Sequence, residues 1–122
     1  GTELWNTDAT LGGNPAMRGA WFASVSDGLY GQLATKYRAR FGKAPYRLAS
    51  LGYDSVLLTV RIARDWKPGT NFPAGRLMAA DGFGGIDGIF RFNDRGIAIR
   101  ALEVSEVGAG GFRVIDPAPA KW

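Results

Sequence analysis

The chain has 122 residues, 46% of them apolar, with a formal net charge of +4. A chain of this length is one domain's worth and buries roughly 65% of the surface its unfolded form exposes, which excludes a disordered tail and leaves room for a core. It holds no cysteine and no histidine. Disulfides, thiolate chemistry and zinc-ribbon sites are thereby excluded, and the commonest general base and catalytic metal ligand are missing, which argues against a hydrolase or a metalloenzyme.

The basic excess is scattered. Its densest set, Lys36, Arg38, Arg40 and Lys43, alternates with apolar residues on a predicted helix, as a solvated face does, and forms no nucleic-acid patch. No run approaches the roughly 18 apolar residues of a membrane span. No signal peptide is visible. The sequence starts at Gly1 without Met, so its natural N-terminus is expected to lie upstream.

Gly1 to Trp5 reads as the end of a strand running into a loop, and Asn6 to Pro15, rich in turn formers, as a surface loop or short broken helix. Met17 to Val25 reads as a short, mostly buried strand carried by Trp21, Phe22 and Val25. Ser26 and Asp27 are N-cap residues; after them Leu29, Leu33, Tyr37 and Phe41 recur every four residues, the stripe of an amphipathic helix. Gly42 is placed to end it in a left-handed cap, and Pro45 prevents continuation. A second helix is expected from Tyr46 to Trp66, apolar on most sides and therefore buried on most sides, stopped by Lys67-Pro68-Gly69. A short helix is expected over Pro73 to Ala80.

From Phe83 the pattern is β. Ile89 to Phe92 alternates into the turn Asn93-Asp94-Arg95-Gly96, and Ile97 to Val107 alternates again with a change of phase near Ala101, read as a bulge or a change of sheet. Gly108 to Gly111 is a second turn and Phe112 to Ile115 a last strand, followed by the tail Pro117 to Ala120. Gly82 to Gly88 lacks the spacing of a phosphate-cradling loop and leads into a strand, so it is a turn-rich approach to a hairpin. The Tyr53-Asp54 pair reads as structural, the tyrosine packing and the carboxylate serving backbone donors, since a buried unpaired carboxylate is costly. No residue reads as catalytic or metal-ligating, and no cofactor is implied.

Five segments, in order, resemble the last third of type 1 periplasmic solute-binding proteins, the Leu/Ile/Val-binding family. Gly1-Thr2-Glu3-Leu4-Trp5 is similar to a cleft-facing segment of the distal lobe, and Met17 to Val25 to the strand leading back across the hinge. Lys36 to Pro45 resembles a "KY…FG…P" segment, Ala49 to Val56 an "A-x-x-YDA-V" helix, and Gly84 to Gly96 a late "G-x-x-G-x-x-x-F-x-x-x-G" hairpin. Arg18 to Ala23 and Gly111 to Pro117 resemble bacterial envelope lipoproteins labelled as ABC-transporter substrate-binding proteins or penicillin-binding-protein activators.

The resemblance implies an α/β fold: the C-terminal fragment of a two-lobed, doubly wound protein. Residues 1–25 would form a distal-lobe strand and hinge crossing, 26–101 the helices and hairpin of the other lobe, and 102–122 the final crossing strand and tail. It implies a periplasmic binding protein in the bacterial envelope, a lipid anchor through a preceding segment being an open option. The function implied is capture of an amino acid or related small polar ligand by hinge closure for an ABC transporter permease. The rival is an envelope lipoprotein that regulates a peptidoglycan synthase and binds no solute.

Within that frame Glu3 falls where amino-acid-binding members place an acid for the ligand's ammonium, a charge-assisted contact; the competing reading is a solvated loop glutamate. Trp5 is placed to cover the ligand at the cleft edge, or is a core or rim tryptophan. Asn6 and Asp8 would line the same loop or serve only its turns. Tyr46 and Leu48 begin the helix whose N-terminus faces the cleft, with Ser50 a turn further in; packing and capping is the alternative. The hydroxyls and amides that hold a ligand carboxylate lie in the first lobe, outside these residues. An isolated fragment would leave apolar helix faces bare, which predicts a homodimer or a swapped assembly.

Overall fold

The computed structural model describes residues 3–8 and 10–122, with the backbone alone at Glu3 and Leu4. The expected strand at Gly1 to Trp5 is not formed where it can be seen. Glu3–Thr7 is a 3₁₀ turn, closed by the Asp8 N–H on the Trp5 carbonyl at 3.2 Å; Gly1 and Thr2 lie outside the described residues. Further 3₁₀ turns follow at Leu11–Gly13 and Pro15–Met17, the second capped by Asn14 Oδ1, which accepts from Ala16 N at 3.0 Å. These turns absorb Met17, so the strand expected from it shrinks to β1, Trp21–Ser24.

Helix α1 spans Gly28–Phe41 and ends as its sequence requires: Gly42 adopts φ 71°, and its N–H bonds to the Arg38 carbonyl at 2.8 Å. Helix α2 spans Ala49–Ala63, shorter at both ends than expected. A 3₁₀ turn at Ala74–Met78 stands where a short helix was expected. Strands β2 (Phe83–Gly85), β3 (Gly88–Phe92) and β4 (Ala98–Arg100) form one antiparallel sheet in that order. Strands β5 (Glu103–Gly108) and β6 (Gly111–Asp116) join β1 in a second sheet of order β1-β5-β6, also antiparallel. The change of phase near Ala101 is therefore a change of sheet. Arg100 ends β4, Ala101 is buried, and Glu103 starts β5 two residues later.

The closely packed elements fall into two groups. The first contains the N-terminal 3₁₀ turns with β1, β5 and β6; its core is Phe22, which meets Trp5 at 5.8 Å and Phe112 at 5.3 Å between ring centroids. The second contains α2, the Ala74–Met78 turn and the β2-β3-β4 sheet, around Ile62, Phe83 and Phe90 with Leu58, Leu77 and Phe92 packed on them. Two covalent crossings join the groups, one after Ser24 and one before Glu103. They run side by side, because Ser24 pairs with Glu103.

The expectation that α2 is buried on most sides is overturned. Only Ser50, Asp54 and Ile62 are buried, while Val56 and Val60 are each 64% exposed. Tyr53 is likewise exposed and does not pack as expected. Helix α1 has no buried residue, and its stripe residues Leu33 and Tyr37 face Ala49, Tyr53, Val56 and Leu57 of α2 across an open groove of about 330 Å³. The physical reason is that a helix apolar all round needs cover on more than one side, and among the described residues α2 is packed closely only on the second group.

Candidate functional site

A cavity of about 340 Å³ lies where the two groups meet. Asn6, Thr7 and Val25 form one wall; Arg47, Leu48, Ser50, Leu51, Asp87 and Arg100 form the other. The sequence brings them there by local means. The 3₁₀ turn holds Asn6 and Thr7. Pro45 ends the approach to α2, so Arg47 and Leu48 sit in the turn before it, closed by Ala49 N–H on the Tyr46 carbonyl at 2.9 Å. Asp87 lies in the connection between β2 and β3, bracketed by Gly85 and Gly88, the latter at φ 86°.

Arg47 organises the polar floor. Its Nη1 donates to Asp87 Oδ1 at 2.7 Å and to Ser50 Oγ at 3.0 Å, and its Nη2 donates to Asp27 Oδ1 at 3.0 Å. The Ser50 hydroxyl, fully buried, donates a hydrogen bond to Asp87 Oδ2 at 2.7 Å. The Arg47 guanidinium lies 4.2 Å from the Tyr30 ring centroid, and Tyr30 is itself tied by its hydroxyl to the Pro45 carbonyl at 3.3 Å. Burial alone would lower the Arg47 pKa; the hydrogen bond and charge of Asp87, then those of Asp27, override it and raise it, so the cation is permanent.

Beneath this floor a second acid is buried. Asp54 Oδ1 accepts the Ile86 N–H at 2.7 Å, and Oδ2 lies 3.9 Å from Arg100 Nη1. The expectation that this carboxylate serves a backbone donor is met. Gly85 makes room for it: a Cβ there would collide with the Asp54 carboxylate. At the crossing, Glu103 has a raised pKa: burial is the main cause, a hydrogen bond from Ser26 opposes it, and the nearby Asp27 charge adds a smaller push upward.

Of the residues singled out in the sequence, Asn6, Leu48 and Ser50 meet at this cavity. Trp5 packs at a tilt against Phe22 in the core of the first group. The Glu3 side chain lies outside the described residues. Asp8 accepts from the Thr10 amide at 2.9 Å and the Thr10 hydroxyl at 2.6 Å, a local turn role. Tyr46 projects into solvent, 90% exposed. Sequence reasoning missed Arg47, Asp87 and Arg100. The one local signal was an acid set among glycines at 85–88, where a small loop brings a backbone close to something.

No protein-family model and no curated protein matches the chain. Three solved structures resemble it. A Rhodospirillum rubrum protein described as a branched-chain amino acid ABC transporter is 28% identical over 84% of this chain, with a TM-score of 0.68. An ABC-transporter solute-binding protein from R. palustris, crystallised with benzoate, is 20% identical over 93% of the chain, TM-score 0.51. The leucine binding protein LivK of Thermotoga maritima is 22% identical over 87%, TM-score 0.49. The chain spans about a third of each: 32%, 34% and 32% of their lengths in that order. By architecture and likeness, the described residues form a partial type 1 periplasmic binding-protein fold, similar to the solute-binding proteins of ABC transporters.

Proposed function

We propose that this chain supplies part of the cleft of an extracytoplasmic solute receptor, which closes by hinge motion on an amino acid or related small polar compound and passes it to an ABC transporter permease. The observation that carries this reading is the cavity with one wall from each packed group. A ligand that touches both walls stabilises their approach, which is how binding drives closure. On this reading the first group belongs to the distal lobe, the second to the other lobe, and the paired crossings after Ser24 and before Glu103 are hinge strands.

The lining suits a ligand with a short apolar body and a polar head. Val25, Leu48 and Leu51 offer aliphatic surface, and Arg47, Arg100, Asn6 and Thr7 offer polar groups beside it. The R. rubrum relative's description, a branched-chain amino acid transporter, names a solute of that kind. Glu3 and Trp5 remain candidates for the ammonium contact and the cover of the ligand.

The test is a thermal-shift screen of the native chain containing these residues against amino acids and small carboxylates. A compound at about 100 times its dissociation constant adds roughly 2.7 kcal/mol to stability. The expected result is a shift with one chemical class, lost in Leu48→Asp, whose side chain is 72% exposed and so dispensable for folding. No shift with any compound overturns the reading in favour of a protein-interaction role, such as regulation of a peptidoglycan synthase.

A further inference from the structure

The side chains beside the cavity also tie its walls together. Asn6, in the first group, donates Nδ2 to Asp27 Oδ2 at 3.2 Å. The other Asp27 oxygen accepts from Arg47 Nη2 at 3.0 Å, and Arg47 Nη1 reaches Asp87 and Ser50, in the second group, at 2.7 and 3.0 Å. One unbroken run of hydrogen bonds therefore crosses from group to group at the place where the backbone itself crosses.

Asp27 departs from the role its position assigns. It is the N-cap of α1, where an aspartate ordinarily accepts from the amides of the first turn, yet it makes no side-chain cap bond. Its carboxylate is diverted to Asn6 and Arg47. The two ends of the run also differ. The Arg47–Asp87 end is charge-assisted and sheltered, with the Asp87 side chain 5% exposed. The Asn6–Asp27 end is a single longer bond in contact with water.

Resting on the hinge reading, we infer that Asp27 and Arg47 are positioning residues of a closure latch, with Asn6–Asp27 as the bond that breaks when the cleft opens. The Arg47–Asp87–Ser50 end stays made and presents Asp27 at a fixed place; Asn6 swings to it as the groups approach. The latch adds to the stability of the closed state whatever the ligand, so it sets affinity without being chosen by solute identity.

These 122 residues hold no cysteine, so, with any cysteine elsewhere in the native chain replaced by serine, Ala109→Cys and Arg95→Cys, both in exposed turns of opposite groups, admit a donor and acceptor dye. Single-molecule transfer on the native chain without ligand and with L-leucine reads the closed fraction. Asn6→Ala and Asp27→Asn are expected to lower that fraction and weaken ligand binding about two- to tenfold, the range of one hydrogen bond, with the lowered fraction already present without ligand, where the place of Asn6 in the cavity wall has no part. Asn6→Asp, which sets a carboxylate against Asp27, is expected to open the cleft further, and Asn6→Gln to restore part of the closure. A distance distribution that responds to leucine yet is identical in Asn6→Ala and Asp27→Asn overturns the latch alone. A single distance under every condition overturns the latch and hinge closure together, and the thermal-shift screen then still decides solute binding by itself.

Discussion

Asp54 is the residue on which the second group's interior is most exposed to failure. It is 3% exposed, holds the Ile86 amide and faces Arg100. Asp54→Ala takes the acceptor from the Ile86 amide and the counter-charge from Arg100, and is expected to cost about 1–3 kcal/mol in a urea titration. Gly85→Ala attacks the same contact from the other side: the added methyl meets the Asp54 carboxylate, with an expected loss of about 1–3 kcal/mol. Glu103 gives a pH signature. Its folded pKa lies above the ordinary 4.5, so the folded state holds the proton longer than the unfolded one, and stability must fall as pH rises from about the ordinary value through the folded one. Glu103→Gln is expected to flatten that slope in a pH series of melting temperatures. Much of the structural chemistry at this scale was legible: Asp54 as a carboxylate serving the backbone, Gly42 as a left-handed cap. Arg47 was not, because its partners Asp27 and Asp87 lie 20 and 40 residues away, and no local spacing encodes such a pairing.

The helices were legible in type and faces but not in environment. Periodicity located α1 and α2, and the all-round apolar surface of α2 was read as burial. Periodicity reports which residues want cover, not whether a partner layer is present in the same chain. The expected energetics follow. Phe90→Ala, in the core beside Phe83 and Ile62, should cost about 3–5 kcal/mol. Val60→Asp, on the bare face of α2, should cost under about 0.5 kcal/mol in the 122-residue chain. Urea midpoints of both variants measure the contrast; a Val60→Asp loss that grows to several kcal/mol in a longer native chain would mean that the face is covered there. In the strands, the phase change at Ala101 was readable as either a bulge or a switch of sheet, and the buried Ala101 between two sheets decides it. The turn at Pro15–Met17 escaped because Asn14 caps a 3₁₀ turn there, where the apolar run beyond it suggested an earlier start of strand.

At the scale of the molecule, the cavity joins residues that the sequence separates widely, Asn6 from Asp87, and what the sequence offered was only their order along a resemblance to solute-binding proteins. The two crossings between the packed groups have a mechanical consequence. One flexible tether would let one group tumble about the other in three independent rotations. On the proposed hinge reading, two tethers held in register by the Ser24–Glu103 pair resist torsion and sideways roll and leave a single soft rotation about the line through both. On the same reading, an event at the cavity, whether a solute arriving or one hydrogen bond lost, is expressed as a change in one angle. A partner docking across both groups would need to sense nothing else to know whether the site is filled.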